Sequence, residues 1–220
     1  MHLSSAISLL LSASLTFATP TPTIEERQTD CSPAGISADD AATVVSKFKS
    51  SGVVPTLIPA INPKVKVNVA YGNKKVNLGN KFRTAETLTQ PKLSFSAEEG
   101  YDPATTKYSY FLVDPDVPNP DAGALRMTYL HWAVHDAQPS CITNQKPVTD
   151  TIYQALTPAS TQQHRYTFLV YRQPAGYQPD AVDLATLQLR PGFDVNRYAA
   201  DNGLTLVGGN FLREAITNTK

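Results

Sequence analysis

Two carboxylates and two histidines in this chain stand where they could do chemistry. Asp114 and Asp116 lie in Tyr108-Ser-Tyr-Phe-Leu-Val-Asp-Pro-Asp-Val-Pro118, directly after an apolar run. Pro115 and Pro118 fix φ and stiffen the backbone that carries both acids. His131 follows in Tyr129-Leu-His-Trp-Ala-Val-His135, and His164 opens His164-Arg-Tyr-Thr-Phe-Leu-Val-Tyr171. Asp-Pro-Asp alone is sound turn chemistry, but a rigid turn holding two acids beside a histidine-bearing strand suggests a site. Such residues can hold an anion, act as a His–Asp acid–base pair, or be drawn as a metal site. Catalysis has little further support: no Gly-x-Ser-x-Gly or His-Glu-x-x-His occurs, and neither cysteine stands in a nucleophile motif. His135 reads as a satisfied surface or core histidine, and Trp132 as core.

The elements that must position these residues read mostly as strands. In His164 to Tyr171, His164, Tyr166, Phe168 and Val170 share one face, and Arg165, Thr167, Leu169 and Tyr171 the other. Met127 to Asp136 reads as a strand with His131, Ala133 and His135 on one face and Trp132 and Val134 on the other. Tyr108 to Val113 is expected to be a strand ending at the acidic turn. Further strands are expected at Lys64 to Ala70, Phe82 to Leu88, Pro91 to Ser96 and Leu204 to Phe211, with a helical turn over Leu212 to Thr217. Gln138 to Ala155 reads as a long surface connection. Helical spacing occurs over Ala38 to Ser50, with Ser37 at its start and Gly52 at its end. Shorter helices are expected at Asp183 to Leu189 and Phe193 to Asn202. No β-helix-β alternation exists, so a doubly wound sheet is not expected.

Three ordered motifs together resemble the phosphatidylethanolamine-binding protein family, also called Raf kinase inhibitor proteins. They are the Asp-Pro-Asp-x-Pro segment with its aromatic-x-His-aromatic strand, the His-Arg-Tyr strand after the Thr157-Pro158 loop, and the closing Phe193 to Phe211 run. The resemblance covers roughly residues 60 to 213; the plant florigen branch is especially close in Leu130-His131-Trp132, and the chain is identified as similar to a secreted, fungal-type member. It implies a mainly β fold: an antiparallel β-sandwich core with a few peripheral α-helices. It also implies a small-anion or phospholipid head-group pocket lined by Asp114, Asp116, Tyr129, His131, Pro158, His164 and Tyr166. In that pocket the carboxylates are expected to raise the histidine pKa values and keep both imidazoles cationic. The acids would orient the histidines and backbone donors, or meet an amine, and Pro158 would give an apolar wall. The chain departs from the family pattern at Thr128, at Gln162 and in the Leu156-Thr157-Pro158 loop, so the rim is expected to differ from the floor. A fungal branch of the family inhibits a serine carboxypeptidase, which makes a serine protease the alternative partner. A His/Asp-based hydrolase is the weaker alternative, and no cofactor is implied.

Composition bounds the rest. The 220 residues are 41% hydrophobic, enough for one domain with a sizeable core, expected over 36–220. Nineteen basic and nineteen acidic residues balance, so nucleic-acid binding has no electrostatic support. Residues 1–18 read as a secretory signal peptide, with an apolar centre from Ile7 to Leu15 and small residues at the cleavage-determining positions, Thr16 and Ala18. No later run approaches the ~18 apolar residues of a membrane span. A secreted protein follows, with a flexible arm over 19–35. In an oxidising compartment Cys31 and Cys141 read as one disulfide, the alternative being two buried thiols.

Overall fold

The computed structural model describes residues 31–216. The expected signal peptide, and the expected arm up to Asp30, lie outside the described residues. The elements run α1 (Ala38–Ser50), α2 (Val53–Thr56), β1 (Val67–Tyr71), β2 (Lys74–Lys75), β3 (Lys81–Phe82), β4 (Lys92–Phe95), β5 (Tyr108–Val117), β6 (Met127–Ala137), β7 (Val148–Thr151), β8 (His164–Arg172), α3 (Ala181–Gln188), α4 (Val195–Asp201) and β9 (Thr205–Glu214). Six strands form a sheet ordered β3-β9-β8-β5-β6-β7, and three form a second sheet ordered β2-β1-β4. Every strand pairing is antiparallel except that of β3 with β9.

The large sheet is buried on both faces, and β5 shows how. Tyr108, Tyr110 and Leu112 pack with Val67, Val69 and Phe95 of the small sheet. Phe111 and Val113, between them in sequence, pack with Val44 and Phe48 of α1 and Tyr198 of α4. Double burial is why this run is apolar throughout instead of alternating with polar residues. In α1, Ser37 Oγ accepts from Asp40 N at 3.1 Å, and acids lead and lysines close the helix, matching its dipole. Val44 and Phe48, four apart, form its buried stripe, and Gly52 after it adopts φ 73°. β9 passes between these layers because Gly208 and Gly209 have no side chain. A Cβ would lie 2.7 Å from Val65 at the first and 2.9 Å from Phe48 at the second.

Several boundaries differ from the sequence-based expectation. Strand β5 does not stop at Val113 but continues through Asp-Pro-Asp to Val117. Pro115 is tolerated because pairing with β6 shifts register between Asp114 and Val117. Turn chemistry survives inside the strand, where Asp116 N donates to Asp114 Oδ1 at 2.9 Å. The expected long connection contains β7, an edge strand too short and polar to show a pattern. Only Lys81–Phe82 of the expected strand to Leu88 is extended, followed by a 3₁₀ turn at Thr84–Glu86. Leu212 to Glu214 are not helical: they complete β9 opposite Tyr166, Arg165 and His164. Cys31 and Cys141 form a disulfide spanning 110 residues.

Candidate functional site

The ends of β5, β6 and β8 meet beside the segment after β7. There Asp114, Val117, Pro118, Tyr129, His131, Gln154, Thr157, Pro158, Ala159, His164 and Tyr166 line a cavity of about 180 Å³. Larger depressions of about 670 and 720 Å³ lie around Arg172 and Tyr101 at the opposite ends of these strands. Neither contains a histidine, so the smaller cavity holds the convergent chemistry.

His131 reaches the cavity through a bulge. Val113 pairs with Leu130 and Leu112 with Trp132, so β6 carries one extra residue, His131, at this point. Its ring lies 5.0 Å from Tyr129 and 5.3 Å from Tyr166, while Trp132 packs in the same inter-sheet cluster as Tyr166. The alternation expected from the sequence, with His131 beside Ala133 and opposite Trp132, therefore fails here. His131 Nδ1 lies 3.1 Å from the Gln154 carbonyl. A carbonyl only accepts, so Nδ1 carries the proton and Nε2 presents a lone pair. Burial pushes the His131 pKa below its ordinary range, against the opposing pulls of the Gln154 carbonyl and Asp114. His131 is thus neutral at pH 7, and the expected cationic imidazole is corrected at this position: desolvation outweighs the nearby acid.

His164 is held differently. Its Nδ1 lies 2.7 Å from Asp114 Oδ2, both side chains being almost completely buried, and its Nε2 lies 3.3 Å from Ser160 Oγ. Asp114 therefore does what the sequence suggested for one acid: it orients a histidine and, through Oδ1, a backbone donor. The Tyr166 ring stacks near that of His164 at 6.0 Å. Burial, then the Asp114 charge, drive the Tyr166 pKa far above its ordinary value, so its hydroxyl stays protonated. No hydrogen bond engages that hydroxyl among the described residues, which leaves a donor at the cavity wall. Tyr129 donates to Gln154 Oε1 at 2.9 Å.

Asp116 is the candidate that the structure does not bring into the cavity. It is fully buried and clamped by Arg165, whose backbone N, Nε and Nη2 donate at 2.9, 2.8 and 2.6 Å. Arg165 Nη1 continues to the Ser51 carbonyl at the end of α1. This carboxylate ties the sheet to the helix layer instead of facing a ligand. His135, as expected, is a satisfied histidine, 2.8 Å from Asp150. Sequence reasoning missed Gln154, which fixes both His131 and Tyr129; only the length of its loop hinted at a role. Behind the cavity, Glu214 sits opposite His164 in the β8–β9 ladder, is buried, and accepts from Thr87 at 2.8 Å. Its other oxygen has no partner among the described residues.

With this geometry in view, comparison with other proteins identifies relatives. A family model described as phosphatidylethanolamine-binding protein matches residues 72–212. A 26 kDa secreted antigen of Toxocara canis is 34% identical over 171 residues, which are 76% of this chain and 62% of that protein. CEN-like protein 1 of Nicotiana tabacum is 31% identical over 165 residues, 74% of this chain and 88% of that protein. The structure of a carboxypeptidase Y inhibitor complexed with its cognate proteinase gives a TM-score of 0.67 at 21% identity, covering 82% of this chain and 98% of that one. A phosphatidylethanolamine-binding protein from Plasmodium vivax gives 0.66 at 20% identity, covering 79% and 97%. At these identities the two structures attest a shared fold.

Proposed function

The chain belongs to the phosphatidylethanolamine-binding protein family, and from that premise we propose that its cavity binds a small anionic or phosphoethanolamine-like head group. The observation that carries this reading is His164, fixed by buried Asp114 at the wall of a cavity that also offers the unpartnered Tyr166 hydroxyl. Taking up a second proton as the phosphate binds, His164 would donate to it through Nε2 while Nδ1 stays on Asp114, and the Tyr166 phenol would donate beside it. The bare Nε2 of neutral His131 would accept from the ammonium, the opposite end of a zwitterion. Val117, Pro118 and Pro158 form the apolar wall. Calorimetric titration with phosphoethanolamine tests this, run beside His164→Ala. A hydrogen bond to a charged group contributes about 1.5–3 kcal/mol, so the variant should bind roughly ten- to a hundredfold more weakly. Equal affinity in both proteins, or no saturable binding in either, would refute the reading.

A second reading, inhibition of a serine carboxypeptidase, is favoured by the likeness of fold to the carboxypeptidase Y inhibitor. The feature we assign to it is the segment from Thr19 to Asp30, whose base Cys31 is tied to the domain by the disulfide. Deleting that segment should abolish inhibition and leave head-group binding intact; loss of both would defeat this division. Secretion is part of the same proposal, supported by the disulfide and by the apolar centre at Ile7 to Leu15. The exported protein should begin at Thr19, and an intact N-terminus on it would contradict that. Among the described residues no helix is long and apolar enough to cross a membrane.

A further inference from the structure

We propose that Ser160, His164 and Asp114 form a nucleophile–base–acid relay that makes Ser160 reactive toward small acyl esters. This goes beyond head-group binding. Ser160 Oγ lies 3.3 Å from His164 Nε2, and His164 Nδ1 lies 2.7 Å from Asp114 Oδ2. This is the connectivity by which a serine is activated in serine hydrolases, where chain order is immaterial and the first distance is often loose before substrate binds. Asp114 accepts the Nδ1 proton, which leaves the Nε2 lone pair toward the hydroxyl. The Ser160 hydroxyl has one proton and two acceptors within reach, His164 Nε2 and the Gln162 carbonyl at 3.2 Å. Turning that proton from the carbonyl to the imidazole prepares the nucleophile without moving a heavy atom.

The loop that carries Ser160 is held in place. Ile216 N donates to the Ser160 carbonyl at 2.9 Å, and Gln162 Nε2 bonds Asp121 Oδ2. His164 and Asp114 are buried while Ser160 is half-buried, so the relay is sheltered at its acid end and runs outward to the serine. Ser160 stands beside the cavity that Ala159, His164 and Tyr166 line, and the Tyr166 hydroxyl there is the donor we assign to an oxyanion. That neighbouring cavity, of about 180 Å³, admits an acyl group of a few carbons only. In the reaction Ser160 Oγ bonds to the acyl carbon as its proton passes to His164 Nε2. The bond from that carbon to the alcohol oxygen then breaks, and His164 returns the proton to the departing alcohol. Water repeats both steps on the acyl-serine, releasing the carboxylic acid and restoring Ser160. Phosphoethanolamine has no acyl group and would be held, not consumed.

The test is labelling of the full-length exported protein with a small fluorophosphonate, followed by mass spectrometry of the peptides. We expect one adduct on Ser160 of the native protein and none on Ser160 in urea-unfolded protein. The rate should fall about 10²–10⁴-fold in His164→Gln, the span typical of a lost general base. If that variant fails to fold, the native-against-unfolded comparison decides. Absence of an adduct on native Ser160, equal labelling after unfolding, or an unchanged rate in folded His164→Gln would overturn the proposal.

Discussion

Replacing Arg165 by Leu should cost this protein much of its stability while leaving the cavity's own residues in place. Asp116 is fully buried and the Arg165 side chain is only 11% exposed. The substitution keeps the backbone donor to Asp116 but removes the Nε and Nη2 bonds and the bond to Ser51. Breaking a buried pair by removing one partner costs about 3–5 kcal/mol, because the other charge stays buried without compensation. At about 2–4 °C per kcal/mol for a domain of this size, that is a fall in Tm of roughly 6–20 °C. Urea unfolding followed by the fluorescence of Trp132, the single tryptophan, gives the same quantity as a shift in midpoint at constant slope. The double variant Asp116→Leu/Arg165→Leu supplies the control. It leaves no orphan charge, so it should be more stable than Arg165→Leu alone, with a coupling of roughly 2–3 kcal/mol. A loss below about 1 kcal/mol in the single variant, or strictly additive losses, would refute the assignment of Asp116 to structure.

Three further outcomes follow from particular contacts. Burial raises the Glu214 pKa in the folded state above its ordinary 4.5, so the folded chain keeps a proton that the unfolded chain gives up. Its contribution is therefore full below pH 4.5 and declines as pH rises toward the folded value. Glu214→Gln should flatten that decline in urea titrations between pH 4 and pH 8 (both on the order of the pKa range at issue), and an unaltered slope would contradict it. Replacing both cysteines by serine opens a loop of about 110 residues. Chain-entropy reasoning gives a loss of about 4–5 kcal/mol, measurable by calorimetry, and a change under about 1 kcal/mol would show that the disulfide adds little. Gly209→Ala would press a Cβ to 2.9 Å from both the Phe168 carbonyl and the Phe48 ring. Overpacking of this kind costs about 1–3 kcal/mol, and a neutral midpoint in urea would mean that the two layers yield more readily than their packing indicates.

What the sequence disclosed and what it withheld divide along one line. Helix α1 was legible because its capping serine, its Val44–Phe48 stripe and its terminal glycine all signal locally. Strand β8 was legible because alternation survives intact from His164 to Tyr171, each face meeting a different core. The cavity was legible in part, since Asp114, Tyr129, His131, Pro158, His164 and Tyr166 all line it. The failures come where backbone irregularity overrides the period of two. In a regular strand Asp114 and Asp116 would share a face. Here the register shift between Asp114 and Val117 sends them apart. Asp114 goes to His164 on the cavity side, and Asp116 to Arg165, whose guanidinium reaches Ser51 on the helix side. The bulge at His131 acts in the opposite sense, bringing that histidine to the face of Trp132 and Tyr166 that alternation denies it. Two irregularities in neighbouring strands thus decide which acid and which histidine face the cavity. Side-chain pattern records neither, because a shift of pairing depends on where the partner strand leaves off, and Gln154 and Ser160 enter from loops that have no pattern at all.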